Sequence, residues 1–358
     1  MEAREVSYRR LKRGERVVHP PKVARSSREE CYLGWRVHVI NVYERCLHAC
    51  SYCFAEWPWS PPSVVVRENL VERAERDLKR FYVGRRVVFN LGSATDPYQP
   101  VEAREVFMRR LIPLLESYGA TFYVCTKSTL ILRDLDLMVN YPNRWVGVTI
   151  TSLNEAFAEV FEPRAPRPKD RVRVVEKLSS EGIPVAVRVD PIIPFVNDDV
   201  EELSPLIAEV EGAGARLIVA STLKLDRSGW ILDGGPSQPP WKRPLSKALD
   251  EWGLREGVEG LSSKLRELYA QGEVLHGYLV PPASYRRRIL EAIKAACRSA
   301  GFAPCKMGVD LRRELTTWKV DGDLGCACYM YRPSKVKFKV ERSDTSAVMS
   351  ELSAERSR

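Results

Sequence analysis

Short apolar runs alternate with longer amphipathic segments over the first two thirds of the chain. Apolar runs of four to eight residues bounded by turn signals are typical of buried strands, whereas apolar positions spaced three and four apart are typical of helices. The pattern predicts six strands, at residues 35–43, 85–92, 120–127, 144–151, 183–190 and 215–222. It predicts helices between them, at residues 67–81, 101–119, 130–139, 168–181 and 198–213.

This alternation predicts an α/β fold, because continuous apolar strands separated by amphipathic helices are typical of a parallel sheet covered by helices. Six such units indicate a partial (β/α)6 TIM-like barrel, which we expect at residues 31–225. A basic N-terminal arm is predicted at residues 1–30 and a C-terminal extension at 226–335, with helices near 257–271 and 283–299. The polar tail, residues 336–358, is expected to be partly disordered.

Composition describes an ordinary globular protein, with 44% hydrophobic and 29% charged residues. No apolar run is long enough to cross a bilayer, and the charged N terminus does not resemble a secretory signal, so we expect a cytoplasmic protein without a membrane partner. The net charge of +9 favours an anionic partner such as DNA or RNA, although a solvated arginine-rich surface explains it equally well. The scarcity of glutamine among many charged residues suggests a thermophilic source.

Three of the nine cysteines, Cys46, Cys50 and Cys53, lie on the loop after the first predicted strand. In a reducing cytosol, clustered thiols indicate metal ligands or catalytic groups rather than disulfides. A structural zinc ion requires four protein ligands, and His48 as the fourth would crowd the site. Three thiolates on a [4Fe–4S] cluster would instead leave one iron open to another ligand. A non-catalytic zinc-binding module that binds nucleic acid remains the alternative.

Other polar segments also follow predicted strands. They are SATD at 93–96, TKS at 126–128, TSLN at 151–154 and VDP at 189–191. The carboxyl ends of parallel strands meet at one edge, where α/β folds carry their chemistry. We therefore expect these segments and the cysteine loop to form one site.

The spacing Cys-x3-Cys-x2-Cys, with Tyr52 before the third thiol, resembles the motif of radical S-adenosylmethionine (SAM) enzymes. Five ordered segments resemble the spore photoproduct lyase-like branch of that superfamily, over roughly residues 33–225. The segments are CLHACSYCFAEW (46–57), NLGSATDPYQPVE (90–102), CTKSTLILRDLDLM (125–138), TITSLNEAFAEVFEPRAPRPKDRV (149–172) and GIPVAVRVDPIIPFVND (182–198). The resemblance implies the partial barrel that the periodicity predicts independently.

The resemblance also implies a chemistry. The three cysteines would hold a [4Fe–4S] cluster whose open iron binds SAM, and reductive cleavage would give a 5′-deoxyadenosyl radical that removes a hydrogen atom from the substrate. An electron donor such as ferredoxin or flavodoxin is implied as a partner. Lys127 matches a lysine that meets the SAM carboxylate. The implied cofactor-binding residues are Tyr52, Ser93, Thr95, Asp96, Lys127, Ser152, Asn154, Arg188 and Asp190, of which the last two could contact either SAM or the substrate.

Two positions depart from spore photoproduct lyase itself. Ser93 aligns with a cysteine that returns a hydrogen atom to the product there, and Phe54 aligns with a tyrosine of that relay. A serine O–H bond is too strong to replace a thiol as a hydrogen donor, so the resemblance does not extend to repair of the spore thymine lesion by that relay. Two kinds of substrate stay open: nucleic acid, in repair or modification, and a peptide, lipid or small metabolite.

A second group of cysteines, Cys297, Cys305, Cys326 and Cys328, suggests an auxiliary iron–sulfur cluster. Their irregular spacing is equally consistent with inert thiols or a disulfide. Cys31 is a free thiol or an additional ligand, and Cys125 is predicted to be a buried strand residue.

Overall fold

The computed structural model describes residues 5–19, 37–55, 60–83, 88–275, 277–305, 319–320 and 323–324. The predicted polar tail lies outside these ranges, as do Cys31, Cys326 and Cys328. None of the helices in this part of the chain is long and apolar enough to cross a membrane.

The strands in chain order are β1 (Val6–Arg9), β2 (Val18–His19), β3 (Val37–Ile40), β4 (Tyr43–Glu44), β5 (Val64–Arg67), β6 (Val88–Leu91), β7 (Thr121–Thr126), β8 (Arg144–Thr149), β9 (Val185–Ile192), β10 (Leu217–Thr222), β11 (Leu225–Asp226), β12 (Glu273–Leu275), β13 (Tyr278–Val280), β14 (Gly301–Pro304), β15 (Lys319–Val320) and β16 (Asp323–Leu324). The helices are α1 (Leu70–Phe81), α2 (Glu102–Glu105), α3 (Phe107–Ser117), α4 (Leu135–Val139), α5 (Glu155–Phe161), α6 (Pro168–Ser180), α7 (Val200–Gly212), α8 (Trp230–Asp233), α9 (Leu245–Glu256), α10 (Leu261–Ala270) and α11 (Ala283–Ala296). A 3-10 helix, Thr129–Asp134, leads into α4.

The main sheet has eight strands in the order β14-β10-β9-β8-β7-β6-β3-β2. All neighbours are parallel except β2, which pairs antiparallel with β3 at one edge. The structure confirms the six predicted strands as β3 and β6 to β10, and with them the predicted α/β fold with a parallel sheet. The sheet is open, because β2 and β14 occupy its two edges in the described part of the chain.

Packing explains why these segments form strands. Every residue of β8 and of β10 is buried, as expected for strands covered on both faces. One face packs against the surrounding helices in the main hydrophobic core, which includes Val146 and Ile218. The other face carries a smaller cluster that includes Tyr123 and Trp145. The carboxyl ends of the strands lie next to this second cluster.

The predicted helix at 101–119 is divided into α2 and α3 at Val106, whose φ is 48°. The buried carboxylate of Glu102 accepts hydrogen bonds from the backbone N–H groups of Phe107 (3.1 Å) and Met108 (2.9 Å). It thereby satisfies donors at the first turn of α3 that would otherwise lack partners. Residue periodicity does not distinguish this divided helix from a continuous one.

The chain beyond residue 225 is joined closely to the barrel. Strand β14, which lies in the predicted C-terminal extension, pairs in parallel with β10, so the sheet continues past the predicted end of the core. A separate hydrophobic cluster unites Cys50 and Tyr52 of the cysteine loop with Phe161 of α5, Trp252 of α9 and Leu265 of α10. Helices α9 and α10 therefore support the loop that carries the three thiols.

Candidate functional site

A cavity of about 370 Å³ opens at the carboxyl edge of the main sheet. Its walls come from the loops after several parallel strands and from the segment beyond β10. The predicted cofactor and metal-binding residues that line it are Cys46, Cys50, Tyr52, Cys53, Ser93, Thr95, Asp96, Lys127, Arg188, Asp190 and Cys305. Four of the five segments that were expected to form one site therefore contribute to the cavity, and TSLN at 151–154 does not.

The cysteine loop is held in shape by the buried side chain of Gln99. Its Oε1 accepts from the backbone N–H of Leu47 (2.8 Å), and its Nε2 donates to the carbonyl of Arg45 (2.9 Å). Arg45 and Ala49 have φ values of 66° and 56°, a conformation that side chains disfavour. Gln99 and the packing of α9 and α10 compensate for this local cost, so the loop turns sharply enough to direct its thiols at the cavity.

The three thiols are free and are not disulfide-bonded. Burial raises the pKa of Cys50 to about 11 and that of Cys46 well above its usual value. Among the described residues, no three His, Cys, Asp or Glu side chains converge closely enough to hold a single metal ion. The three thiols line the same cavity without converging on a single metal position. The side of the cysteine loop that faces the cavity is therefore open to a further ligand.

Tyr52 connects the cysteine loop to a buried charged network. Its hydroxyl donates to the carboxylate of Glu162, which also accepts from the Thr151 hydroxyl (2.8 Å) and pairs with Arg171. The side chains of Glu162 and Arg171 are each only 1% exposed. Burial alone would raise the pKa of Glu162, but Arg171 and Lys127 hold it at about 2. The network therefore keeps an ionised carboxylate behind the loop.

Lys127 and Asp96 are linked through the loop after β7. The Asp96 carboxylate accepts from the backbone N–H of Lys127 (2.7 Å) and from the Thr126 hydroxyl (2.7 Å), and it lies 3.3 Å from His48 Nδ1. Burial opposes ionisation of Asp96, yet His48 and these donors lower its pKa below the usual value. Asp96 thereby fixes the loop from which the Lys127 ammonium reaches the cavity.

A second charged group lies at the ends of β9 and β10. Asp190 accepts from the Arg188 guanidinium at 2.5 Å and from Lys224 Nζ at 3.0 Å. Burial would raise the pKa of Asp190, but Lys224 and Arg188 hold it at about 2. Two cations and one carboxylate leave a net positive charge on this wall of the cavity.

The segment after β6 brings Ser93 and Thr95 to the cavity through hydrogen bonds to earlier residues. The Ser93 hydroxyl donates to Asn41 Oδ1 (3.2 Å), and the Thr95 hydroxyl donates to the Tyr43 carbonyl (3.1 Å). Gly92 begins the turn with φ of 91°, and a Cβ at that position would lie 2.5 Å from Pro97 Cδ. Only glycine fits this turn without displacing the segment.

Ser152 and Asn154, which are expected to face SAM, both make local hydrogen bonds at the start of α5. Asn154 Oδ1 accepts from the backbone N–H of Ala156 (2.9 Å), capping α5, and the Ser152 hydroxyl accepts from the N–H of Asn154 (3.0 Å). Neither residue lines the cavity. Their side chains serve the short helix α5, which the periodicity did not predict because it spans only seven residues.

Two members of the second group of cysteines, Cys297 and Cys305, lie within the described residues. Cys297 ends α11 before β14, whereas Cys305 follows β14 and lines the cavity. The two thiols therefore lie at opposite ends of β14, and the auxiliary site stays a prediction because Cys326 and Cys328 lie outside the described residues. Cys305 is instead 3.5 Å from the Arg188 guanidinium. Cys125, predicted to be buried, is partly buried and also lines the cavity.

Several cavity residues were not singled out from the sequence. They are Asn90, Tyr123 and Lys224 on the walls, and Glu162 and Arg171 behind the cysteine loop. Asn90 and Tyr123 lie within predicted strands, where alternation of side chains between the two faces could have identified them. Lys224 follows the sixth predicted strand by two residues, at the edge where the other candidates lie. Glu162 and Arg171 carry no comparable signal, since their ion pair joins the end of α5 to α6 across nine positions of the chain.

Comparison with known proteins gives a consistent result. A family model described as Radical SAM superfamily matches residues 40–206. An uncharacterized protein of Mycobacterium tuberculosis is 30% identical over 271 residues, which is 72% of each chain. An uncharacterized protein of Acidianus two-tailed virus is 28% identical over 253 residues, covering 62% of this chain and 79% of the viral protein.

Solved structures of spore photoproduct lyase share the fold. A variant complexed with AdoMet and dinucleoside spore photoproduct superimposes with a TM-score of 0.53 at 14% identity, over 72% of each chain. Another variant of the lyase gives a TM-score of 0.52, also at 14% identity and 72% coverage of each chain. The similarity predicted from the five ordered segments is thus confirmed at the level of the fold.

Proposed function

Because the chain belongs to the radical SAM superfamily, we propose that it cleaves SAM reductively at a [4Fe–4S] cluster and directs the resulting radical chemistry to nucleic acid. The observation that carries this proposal is the convergence of Cys46, Cys50 and Cys53 on the cavity that Lys127 also lines. When bound, the cluster and SAM together supply a 5′-deoxyadenosyl radical able to abstract a hydrogen atom. The reaction is of the lyase-like or modifying kind.

The donor set fits this cofactor pair. Three free thiols are the ligands that iron–sulfur clusters prefer, and three rather than four leave an iron for SAM. The Lys127 cation suits a carboxylate, and the hydroxyls of Ser93 and Thr95 suit polar groups of a zwitterionic cofactor. The cysteine loop and the segment beyond β10 both contribute walls to the cavity, so a cluster held by the three thiols would face the same space as Lys127.

Nucleic acid is supported as the substrate by charge and by the composition of the cavity. The net charge of the chain is +9, and Arg45, Arg188, Lys224 and Lys242 all line the cavity. Cationic side chains are the groups that contact phosphodiester backbone. The structurally similar lyase variant is complexed with a dinucleoside photoproduct, which supports a substrate of the same chemical class here.

The experiment is anaerobic reconstitution of the protein with iron and sulfide, followed by titration with DNA and RNA oligonucleotides over a salt series. We expect about four irons per protein and an affinity that falls steeply with salt, because phosphate contacts release counterions. Zinc binding without iron would favour the non-catalytic zinc module. No affinity for either nucleic acid at low salt, with SAM cleavage intact, would favour a peptide, lipid or small metabolite.

A further inference from the structure

Two polar atoms on the cavity wall have no partner at hydrogen-bonding geometry among the described residues: Asn90 Oδ1 and the Tyr123 hydroxyl oxygen, the latter interacting electrostatically with Arg188 and Cys125. Asn90 on β6 and Tyr123 on β7 are paired in register, so the two residues are direct neighbours in the sheet. Buried polar groups in native proteins are almost always paired, since an unpaired one loses its hydration without compensation. Two neighbouring exceptions on a cavity wall indicate a surface made for a ligand.

The setting of Tyr123 strengthens this conclusion. The residue is only 5% exposed, and a Cβ at Gly147 on the adjacent strand β8 would clash with its hydroxyl oxygen. Glycine at this position therefore provides the space in which the end of the ring lies. A phenylalanine would fill the same hydrophobic cluster without leaving a hydroxyl unpaired, so packing alone does not explain the tyrosine.

The groups around these atoms define the chemistry of the ligand. The Arg188 guanidinium and the Lys224 ammonium offer donors, whereas the Asp190 carboxylate and Asn90 Oδ1 offer acceptors. A cavity that offers both donors and acceptors matches a planar group carrying both, such as the edge of a nucleobase. Phosphate, a pure acceptor, would leave Asn90 Oδ1 unsatisfied.

The entrance of the cavity suits the same ligand. Phe54 is 41% exposed, and its ring centre lies 6.4 Å from that of Tyr278 in an edge-to-face arrangement. Both residues line the cavity, and they come from distant segments of the chain. An exposed phenylalanine ring beside a half-buried tyrosine at a polar cavity offers an aromatic surface on which a base can stack. Phe54 can thus contact a base at the entrance of the cavity, a role that does not require the hydrogen-atom relay of spore photoproduct lyase.

We propose that Asn90 and Tyr123 recognise the hydrogen-bonding edge of a nucleobase that is turned out of its stack into the cavity, an inference that rests on the proposed action on nucleic acid. A base within a duplex cannot reach this wall, so the substrate base must be unpaired or extruded. Phe54 and Tyr278 contact the base or its neighbour at the entrance.

The test compares two single-stranded oligonucleotides of equal length, one with bases and one abasic throughout, binding to the cluster-loaded protein at a fixed salt concentration. Wild-type protein is expected to prefer the strand with bases. Y123F and N90L should each reduce that preference about five- to tenfold, with unchanged affinity for the abasic strand and for SAM. Tyr118→Phe, which removes a hydroxyl outside the cavity, is the matched control and should change neither affinity.

Thermal unfolding of the same variants separates recognition from a structural role. Because the Tyr123 hydroxyl has no partner at hydrogen-bonding geometry in the described part of the chain, Y123F should unfold at the wild-type temperature or above it. Destabilisation of Y123F, a fall in its SAM affinity, or equal wild-type affinity for the two strands would each overturn the inference. Absence of binding to both strands would contradict the proposed function itself.

Discussion

The Lys127 ammonium nitrogen lies 5.4 Å from the centre of the Tyr52 ring, over its face. This contact joins the loop after β7 to the cysteine loop, and Tyr52 in turn donates to Glu162. A cation over an aromatic ring is favourable, more so when it is shielded from water. The position of the cation is therefore set by the same loop that carries the three thiols.

We predict that Lys127→Gln weakens SAM binding about 10- to 100-fold, because a charge-assisted contact to the SAM carboxylate is lost. Equilibrium dialysis with the cluster-loaded protein measures the effect. Lys169→Gln removes an equal charge from the exposed surface of α6 and serves as the control. Equal affinities in the two variants would show that Lys127 does not bind the cofactor.

We predict that Glu162→Gln lowers the free energy of unfolding by about 3 kcal/mol, because Arg171 is left buried without its carboxylate. Urea denaturation of the full chain measures this value. Glu155→Gln breaks the exposed pair with Arg167 and should cost less than about 1 kcal/mol. Similar losses in both variants would mean that the Glu162–Arg171 pair contributes no more than a surface pair.

The same pair predicts acid sensitivity. A carboxyl group whose folded-state pKa is depressed contributes stability above its unfolded pKa and loses it as pH falls through the folded value. For Glu162 these values are 4.5 and about 2, so its contribution should fall between about pH 4.5 and 2. Unfolding free energies of cluster-free wild type and Glu162→Gln, measured across that range, should converge as pH falls. A constant difference would contradict the depressed pKa of Glu162.

We predict that Gly92→Ala is more destabilising than Gly182→Ala, although both glycines have positive φ. An added Cβ at Gly182 meets nothing within 4 Å, so only the backbone conformation is penalised, by about 1 kcal/mol. At Gly92 the Cβ would also press on Pro97 and on the Thr95 carbonyl, adding about 2 kcal/mol. Denaturant unfolding measures the free energy of unfolding of both variants. Equal losses of stability would show that the turn at Gly92 accommodates a side chain.

The sequence predicted the sheet well because its strands are continuous apolar runs, a pattern typical of strands that are buried on both faces. It was less informative where a local contact overrides periodicity, as at Val106, where Glu102 divides one predicted helix into two. The sequence also did not predict that β14 pairs with β10. A strand of four residues carries too few apolar positions for its pairing partner to be recognised from the sequence.

For the site, residue spacing identified the groups that lie on a single loop and missed those that depend on packing. Cys46, Cys50 and Cys53 are close in sequence and meet at the cavity, as predicted. Cys297 and Cys305 are also close in sequence, but β14 lies between them and separates them. The Glu162–Arg171 pair is visible only once α5 and α6 are folded together.

The central claim is tested most directly by 5′-deoxyadenosine formation from SAM after anaerobic reconstitution and reduction with dithionite, measured by mass spectrometry. The wild-type protein and Cys297→Ala, which removes a thiol outside the cavity, should both form 5′-deoxyadenosine. Variants with Ala at Cys46, Cys50 or Cys53 should form none. Continued formation by the variant lacking all three thiols, or none by the reconstituted wild type, would contradict the assignment of the cluster to this loop.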